Sequence, residues 1–408
     1  MNTVPGNDAT AARANRILLT GATGAIGAAL LIELLTAGFE VHCLIRGKRG
    51  TSPERRLAEL TDHPAAIALS GDISAPLCGL EVTTLPAFSK VVHAAADTSL
   101  VQSGSAQIEA TNLSGTQHLL DLVAALGHPE LHYIGTTYIA GDADRLGEHA
   151  WDAPLDIGTA RNPYERSKQA AERLVRSADG AINILRPAIV VGDSATGAAG
   201  RLEGIYAFFK SAHRLNRQVV GGGYADENGV PLLGWPETPL RVPLALGDLR
   251  GRALNLIQLD WIARTVAALV AQPARGRTYN LAHPAATDLR DVFEWALAAL
   301  ELRDTVELTD AASGVWATSS LRRSIRRIID QELDKFQPYL AHSPHFATDN
   351  VYADLGAAWE RPAPIDEAWM ARSMQIAAVA WEAALLPAQG REVAGSKARA
   401  SINMSAPA

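Results

Sequence analysis

Residues 17–27 read ILLTGATGAIG, and this stretch decides the fold of the chain. Ile17–Leu19 is a short apolar run typical of a buried strand, and the residues after the second glycine place apolar side chains at helical spacing. The stretch therefore predicts a strand, a tight turn and a helix. Gly21, Gly24 and Gly27 suit a turn that needs unusual φ, close approach of a pyrophosphate to the backbone, and close packing of helix on strand. Free N–H groups at the start of that helix would face the phosphate.

The composition limits the function classes that the chain can belong to. Its 408 residues are enough for one large domain or two modest ones. With 37 basic and 44 acidic side chains the net charge is −7, which offers no basic field for nucleic acid. The two cysteines cannot form a disulfide framework. No apolar run approaches the roughly 18 residues of a membrane span, and residues 1–15 lack the apolar centre of a signal peptide. We expect a cytoplasmic protein without stable membrane insertion; the sequence leaves its oligomeric state open.

A second predicted strand, Glu40–Ile45, ends directly before a run of cations that contains Arg46, Lys48 and Arg49. In dinucleotide-binding folds an acid at this place accepts from the ribose 2′-OH, whereas arginine accommodates a 2′-phosphate. This sequence has three cations there and no acid, which predicts NADP(H) rather than NAD(H). A solvated basic loop is the alternative interpretation.

Two further predicted strands bring candidate cofactor contacts. Ala65–Leu69 is followed by Asp72, whose carboxylate can accept from an adenine amino group, and by Ile73, whose backbone N–H is available. Lys90–Ala96 ends in the small residues Ala94–Ala96. Small side chains at this place let the backbone pass close to the diphosphate and ribose of a cofactor.

A tyrosine and a lysine mark the candidate catalytic helix. Tyr164 and Lys168 are four residues apart, so they lie on one face of the helix that opens at residues 162–163. A free phenol is a poor acid or base at neutral pH, and an adjacent ammonium lowers its pKa. Thr136, at the end of the fifth predicted strand, supplies a hydroxyl to orient a carbonyl oxygen. Asn112 is unfavourable within a helix predicted over about residues 106–125, so it either bonds locally or serves the site.

The order of these segments resembles the extended short-chain dehydrogenase/reductases, and within them the thioester-reducing branch. That branch includes the terminal reductase domains of carboxylic acid reductases and nonribosomal synthetases, and the fatty acyl-CoA reductases. The resemblance spans about residues 15–285 and rests on TGATGAIG, CLIRG, GDIS, VVHAAADTS, NLSGT, GTTYIAG, NPYERSK, RPAIVVGDSATG and LNLIQLDWIA. A later stretch, FQPYL at 336–340 followed by PHF at 344–346, is similar to the fatty acyl-CoA reductases.

The resemblance implies a role for each matching residue. Tyr164 would donate the proton, Lys168 would support it and bind the nicotinamide ribose, Thr136 would orient the carbonyl, and Asn112 would serve the catalytic site. Gly135 stands where the family commonly has serine, which leaves Thr136 and Thr137 as candidates for the acting hydroxyl; counting back from Gly141 selects Thr136. The implied cofactor is NADPH/NADP+, and the implied contacts are Thr20, Gly21, Thr23, Gly24, Ala25, Ile26, Gly27, Arg46, Lys48, Asp72, Ile73, Ala94, Ala95, Ala96, Lys168, Pro187 and Ile189.

The predicted fold class is α/β: a Rossmann doubly wound parallel sheet with a smaller, mostly helical C-terminal substrate domain. We expect a flexible N-terminus at 1–14, an NADP-binding domain at 15–194 plus about 251–285, a substrate-binding lid or domain at 195–250 plus 286–388, and a disordered tail at 389–408. A predicted amphipathic helix at 319–336 carries four arginines, which would dock CoA phosphates or an acidic carrier protein, or form an ordinary solvated face.

The function predicted from these features is NADPH-dependent reduction of an acyl thioester, on CoA or a carrier protein, to an aldehyde. A second round of reduction would give the alcohol. The alternatives are an NADPH-dependent ketone or aldehyde reductase of the same extended type, and a non-catalytic NADP-binding sensor. His342 and His345 lack a third ligand in a recognisable pattern, so no metal site is predicted.

Overall fold

The computed structural model describes residues 15–98, 105–199, 205–220, 242–245, 248–303, 306–309 and 336–384. The chain divides into two units, Met1–Val190 with Ile257–Pro284 and Pro344–Pro362, and Val191–Leu256 with Ala285–Ser343 and Ala363–Ala408. The predicted helix at 319–336, the predicted flexible N-terminus at 1–14 and the predicted tail at 389–408 lie outside the described residues.

The first unit is built on a central parallel sheet. The strands of this unit, with the two that carry the chain between the units, are β1 (Arg16–Thr20), β2 (Glu40–Ile45), β3 (Ala66–Ser70), β4 (Lys90–His93), β5 (Glu130–Ile134), β6 (Arg145–Leu146), β7 (Ile182–Pro187), β8 (Ile189–Val191), β11 (Leu256–Gln258), β12 (Thr278–Leu281) and β15 (His345–Phe346). Seven of them form one sheet in the order β12-β7-β5-β4-β1-β2-β3, with every neighbouring pair parallel. This topology confirms the predicted Rossmann architecture.

Helices cover both faces of that sheet. The first unit contains α1 (Ala25–Thr36), α2 (Pro53–Ala58), α3 (Ser105–Glu109), a π-helical turn (Ala110–Ser114), α4 (Gly115–Ala125), α5 (Pro163–Arg176), α7 (Leu259–Ala271) and α9 (Asp349–Leu355). Side chains of β1 alternate between two apolar clusters: Ile17 and Leu19 join one, and Leu18 joins the other. Because both sheet faces are buried, the strands read as continuous apolar runs rather than as alternating ones.

The second unit is smaller in described structure. It contains α6 (Ile205–Val220), α8 (Leu289–Ala299), α10 (Glu367–Ala383) and the short strands β9 (Val242–Ala245), β10 (Ala253–Leu254), β13 (Thr287–Asp288) and β14 (Val306–Thr309). The rings of Phe208, Phe209 and Phe293 pack edge to face or tilted between α6 and α8. The Tyr206 hydroxyl hydrogen bonds with Ser373 Oγ at 2.8 Å, which ties α6 to α10.

Residues 344–362 belong to the first unit, whereas the sequence places them in the substrate-binding part. The reason is a set of long-range contacts: β15 pairs with β6, and the buried Asp354 carboxylate lies 2.8 Å from Arg275 and 2.7 Å from Arg277. Partners about 200 and 80 residues away along the chain are not visible in a local pattern.

The sheet order reverses between β1 and β4, because the chain runs from β1 to β2 on one side and returns to β4 on the other. In doubly wound sheets, ligands bind at the carboxyl ends of the strands beside this reversal. The glycine-rich turn follows β1, and Ala94–Ala96 follow β4. Both predicted cofactor segments therefore lie at the place where such folds bind nucleotides.

Candidate active site

The turn after β1 has no room for side chains at two of its glycines. Gly21 has a φ of +76°, and a Cβ there would lie 2.5 Å from the carbonyl carbon of Ala94. A Cβ on Gly27 would lie 2.1 Å from the carbonyl oxygen of Gly21. The N–H of Gly24 donates to that same oxygen at 2.8 Å. The turn is thus a tight backbone loop pressed against the end of β4.

The start of α1 leaves its N–H groups available to an anion. Gly24 is the N-cap and provides no side-chain hydrogen bond, and the first turn, which begins with Ala25 and Ile26, carries no acid. Thr20 closes the other side, because its hydroxyl hydrogen bonds with His93 Nδ1 at 2.7 Å and accepts from the N–H of Ala95 at 3.3 Å. A backbone cradle with a free helix N-terminus fits the diphosphate of a dinucleotide.

Three polar side chains meet at the predicted 2′-phosphate edge. Arg46, whose side chain is 63% exposed, lies 3.4 Å from Asp72. Arg56 of α2 donates to the carbonyl oxygen of Arg46 at 2.6 Å and to Thr23 Oγ1 at 3.1 Å. Lys48 forms a small backbone bridge with Thr51. Arg56 was not predicted from the sequence; its position in the helix directly after the cation run is the signal that would have indicated it.

Asp72 and Ile73 turn the chain after β3. Burial alone would raise the pKa of Asp72, but hydrogen bonds from Ser74 and the charge of Arg46 lower it overall. The carbonyl oxygen of Ile73 hydrogen bonds with His118 Nδ1 at 2.9 Å, and its side chain packs on Gly115. The Asp72 carboxylate therefore stays ionised and can accept hydrogen bonds.

The predicted catalytic side chains come together at the ends of β5 and the start of α5. Asn162 caps α5 by accepting from the N–H of Glu165 at 2.9 Å, and Pro163 occupies the first helical position. Tyr164 and Lys168 follow on one face, and the Thr136 hydroxyl lies near enough to the Tyr164 phenol to lower its pKa. The ammonium of Lys168 is buried, donates to the carbonyl oxygen of Ile134 at 3.1 Å and lies 4.8 Å from the centroid of the Tyr133 ring.

Burial dominates the proton affinities of this pair. It raises the pKa of Tyr164 to about 12, against the smaller lowering effect of the Thr136 hydroxyl. It lowers the pKa of Lys168 to about 8, against the charge of Glu172. The sequence predicts that Lys168 lowers the pKa of Tyr164; in the structure, removal of the phenol from water raises that pKa, and the charge of Glu165 acts in the same direction. Tyr164 is therefore protonated at neutral pH, as a proton donor must be.

The two threonines after β5 differ in their surroundings. Both hydroxyls donate to the carbonyl oxygen of Pro187 at 3.4 Å. Thr136 also accepts from the N–H of Tyr138 at 3.2 Å and affects the pKa of Tyr164, whereas Thr137 is fully buried. Thr136 is therefore the one of these two hydroxyls that acts on the Tyr164 phenol. Pro187 ends β7 beside it, and Ile189 opens β8 with a partly exposed side chain.

Asn112 lies in the π-helical turn and uses its whole side-chain amide within the protein. Its Nδ2 donates to the carbonyl oxygen of Asp97 and to Ser167 Oγ, both at 2.9 Å, and its Oδ1 accepts from the N–H of Asp97 at 2.7 Å. The Ser167 hydroxyl in turn donates to the carbonyl oxygen of Tyr164 at 2.7 Å. Asn112 therefore connects the segment after β4 to the helix that carries Tyr164 and Lys168.

Metal-ligating clusters and membrane-spanning helices are both absent from the residues that the structure describes. No cluster of three or more histidine, cysteine, aspartate or glutamate side chains there has the arrangement of a metal site. No helix in this part of the chain is both long and apolar enough to cross a membrane.

The sequence of the chain is similar to a known protein family and to a curated peptide synthase. The model of the family described as Male sterility protein matches residues 19–231, which are 213 of the 408 residues. The isonitrile lipopeptide synthase of Streptomyces coeruleorubidus is 28% identical over 246 residues, which are 56% of this chain and 16% of that protein. The chain thus spans about a sixth of the length of this curated relative.

Two solved structures share the fold. The terminal R domain from the myxalamid PKS-NRPS biosynthetic pathway has a TM-score of 0.66 and 22% identity, with 88% of this chain and 90% of that chain covered. A thiolation-reductase di-domain from an archaeal non-ribosomal peptide synthetase has a TM-score of 0.61 and 17% identity, with 88% and 74% covered. At these identities the similarity shows the common architecture.

Proposed function

The chain belongs to the Male sterility protein family, and from this premise we propose that it reduces an acyl thioester bound to a carrier protein, using NADPH. Its family and fold make it an NAD(P)-dependent oxidoreductase of the extended short-chain type. The carrier-bound substrate is supported by the kinds of protein that the chain resembles, a lipopeptide synthase and a thiolation-reductase di-domain. A CoA thioester has the same reacting group and is the alternative substrate.

One observation carries the proposal: Thr136, Tyr164 and Lys168 lie together at the carboxyl ends of the strands, in the same unit as the glycine cradle. Charge develops on a carbonyl oxygen during reduction, and two hydroxyl donors of fixed position stabilise it. A partly buried tyrosine with a pKa of about 12 holds its proton until that charge appears.

The side chains divide the chemistry between them. A bound nicotinamide cofactor supplies the hydride for the carbonyl carbon. Thr136 and Tyr164 donate hydrogen bonds to the carbonyl oxygen, and Tyr164 transfers its proton to it. The Lys168 ammonium stabilises the phenolate that remains. With a thioester the product is a hemithioacetal, which collapses to an aldehyde and a free thiol.

The proposed preference for NADPH over NADH is supported by the side chains at the end of β2. That strand ends without an acid, and Arg46, Lys48 and Arg56 lie next to it. Arg56 already bridges the glycine-rich turn at Thr23 and the backbone of Arg46, so its guanidinium is held where a 2′-phosphate would need a partner.

The test is single-turnover oxidation of NADPH, followed by loss of the reduced nicotinamide absorbance. The substrates are an acylated carrier protein, the matching acyl-CoA, and the corresponding aldehyde and ketone. We expect oxidation with a thioester and a loss of about 10²-fold or more in Tyr164→Phe. Tyr352→Phe is the matched control, because it removes another partly buried phenol of the same unit beside Arg361.

The substrate set decides between the alternatives. Turnover of the aldehyde or ketone alone would reassign the protein as a carbonyl reductase. Tight NADPH binding without turnover of any substrate would support the cofactor-sensor alternative. Equal rates in Tyr164→Phe and the wild type would remove Tyr164 from the mechanism.

A further inference from the structure

A fully buried ion pair lies one helical turn beyond Lys168. The side chains of Glu172 on α5 and Arg186 on β7 are both 0% exposed. Arg186 Nε donates to Glu172 Oε2 at 3.0 Å, and Arg186 Nη2 donates to the other carboxylate oxygen. Arg176, near the end of α5, donates to the same carboxylate at 3.1 Å. One carboxylate thus binds two guanidinium groups.

This pair lies against the segments that present Thr136, Tyr164 and Lys168. Glu172 is four residues after Lys168 on the same helix, and Arg186 directly precedes Pro187, whose carbonyl oxygen accepts from both threonines. A Cβ on Gly135 would lie 3.5 Å from Glu172 Oε2 and 3.5 Å from Arg186 Cγ. The backbone that leads into Thr136 therefore packs directly on the ion pair.

The charges around Lys168 are unbalanced without Glu172. Lys168, Arg176 and Arg186 are three cations, and an arginine does not lose its proton at accessible pH. The groups that face Lys168 from the neighbouring strands are Tyr133 on β5 and His93 on β4. Burial raises the pKa of Tyr133 and lowers that of His93 to about 3, so both are neutral at pH 7.

Among the residues that the structure describes, Glu172 is the carboxylate whose charge acts on the Lys168 ammonium. We propose that Glu172 and Arg186 form a positioning pair for the catalytic helix. Arg186 on β7 holds the Glu172 carboxylate of α5 against the end of β5, and this carboxylate keeps Lys168 cationic. This inference rests on the proposed function, in which the charged form of Lys168 supports Tyr164. Neither member of the pair touches the reacting atoms in this role.

The experiment is the pH dependence of NADPH affinity and of single-turnover NADPH oxidation in two variants. Glu172→Gln keeps the shape but removes the charge, so Lys168 loses its proton at lower pH. A unit charge about 6 Å from an ammonium, at an effective dielectric near 20, changes the pKa of that ammonium by about two units. We therefore expect the alkaline limb of both pH profiles to move to a pH lower by about one to two units. Arg176→Gln removes a competing cation, so the limb moves in the opposite direction.

The matched control is Asp354→Asn. Asp354 is also a buried carboxylate between two arginines of the same unit, Arg275 and Arg277, but it lies on α9. We expect this variant to lower the unfolding temperature and to leave both pH limbs in place. If Glu172→Gln does not fold, Arg176→Gln decides alone, because Arg176 is the last residue of α5 and its replacement leaves the Glu172–Arg186 pair in place.

Opposite shifts of the limb in the two variants support the pair. Limbs that stay in place while the plateau rate falls would overturn it, since a purely structural role changes amplitude and not proton affinity. The NADPH affinity limb needs no substrate, so it reports on Lys168 even if thioesters are not reduced. A wild-type protein that binds NADPH and reduces none of the substrates would refute the proposed function. The pH dependence of NADPH affinity in the two variants would still test the positioning pair.

Discussion

Gly27→Ala is predicted to abolish cofactor binding through a single methyl group. The new Cβ would lie 2.1 Å from the carbonyl oxygen of Gly21 and 2.7 Å from its carbonyl carbon. Both are backbone atoms that cannot rotate away, so the turn must retreat by about 1 Å to restore ordinary contact. A shift of that size breaks the hydrogen bonds that the turn and the start of α1 offer to a diphosphate. Losing two charge-assisted bonds of about 1.5–3 kcal/mol each weakens binding by at least about 100-fold.

Alanine substitutions at two other glycines should weaken NADPH binding less than Gly27→Ala or not at all. At Gly24 a Cβ would lie 3.2 Å from the same oxygen, and the backbone φ of −83° suits any residue. Gly24→Ala therefore needs a movement of a few tenths of an ångström, and we expect a loss of severalfold. At Gly147 a Cβ meets no atom within 4 Å, so Gly147→Ala serves as the control with unchanged binding.

The assay is NADPH binding by fluorescence titration, with thermal unfolding measured on the same samples. The order of loss should be Gly27→Ala, then Gly24→Ala, then Gly147→Ala. Wild-type affinity in a folded Gly27→Ala protein would refute the assignment of this turn to the diphosphate. A larger loss at Gly24 than at Gly27 would refute the distance argument.

Two further predictions concern the cofactor edge and the core. Arg56→Gln should weaken NADPH binding about tenfold and leave NADH binding unchanged, measured by calorimetry; an equal loss for both would contradict the 2′-phosphate assignment. Burial lowers the pKa of His93 and His132 to about 3, so their stability contribution is complete above about pH 6.5 and is lost as the pH falls. Between pH 7 and 5 each histidine should contribute a loss of about 2 kcal/mol in denaturant unfolding, opposed by a gain from Glu148, whose pKa burial raises to about 7. His132→Leu should reduce the loss of stability between the two pH values by about 2 kcal/mol, and an unchanged loss in this variant would contradict the explanation.

The sheet was predictable from local sequence because its strands are buried on both faces. Glu40–Ile45 was predicted and found with the same bounds, and the other strands of the sheet shift by a few residues at most. The helix predicted continuously over about 106–125 is interrupted by the π-helical turn at Ala110–Ser114. The side-chain amide of Asn112 requires Asp97 as a partner, and this contact across 15 residues overrides helix regularity.

The candidate site was predictable where its geometry is local. Tyr164 and Lys168 share a helix face because of their spacing alone, and the three glycines share one turn. The Arg56 contact to Thr23 joins residues 33 apart and depends on how α2 packs beside the turn. The direction of the Tyr164 pKa shift also depends on burial, which spacing does not report. Tertiary contacts therefore account for what the local pattern missed.

Two ion pairs of the first unit differ in the free energy needed to break them, because they differ in exposure to solvent. Arg46 and Asp72, predicted to bind separate parts of the adenosine, pair with each other at 3.4 Å with Arg46 63% exposed. Such a pair is worth about 0–1 kcal/mol, so a doubly charged phosphate can replace Asp72 as the partner of Arg46 at little cost. Breaking the buried Glu172–Arg186 pair costs about 3–5 kcal/mol, because one charge is left without a partner. Exchange of partners is therefore possible at the cofactor edge, whereas the buried pair of Glu172 and Arg186 cannot exchange partners at so low a cost.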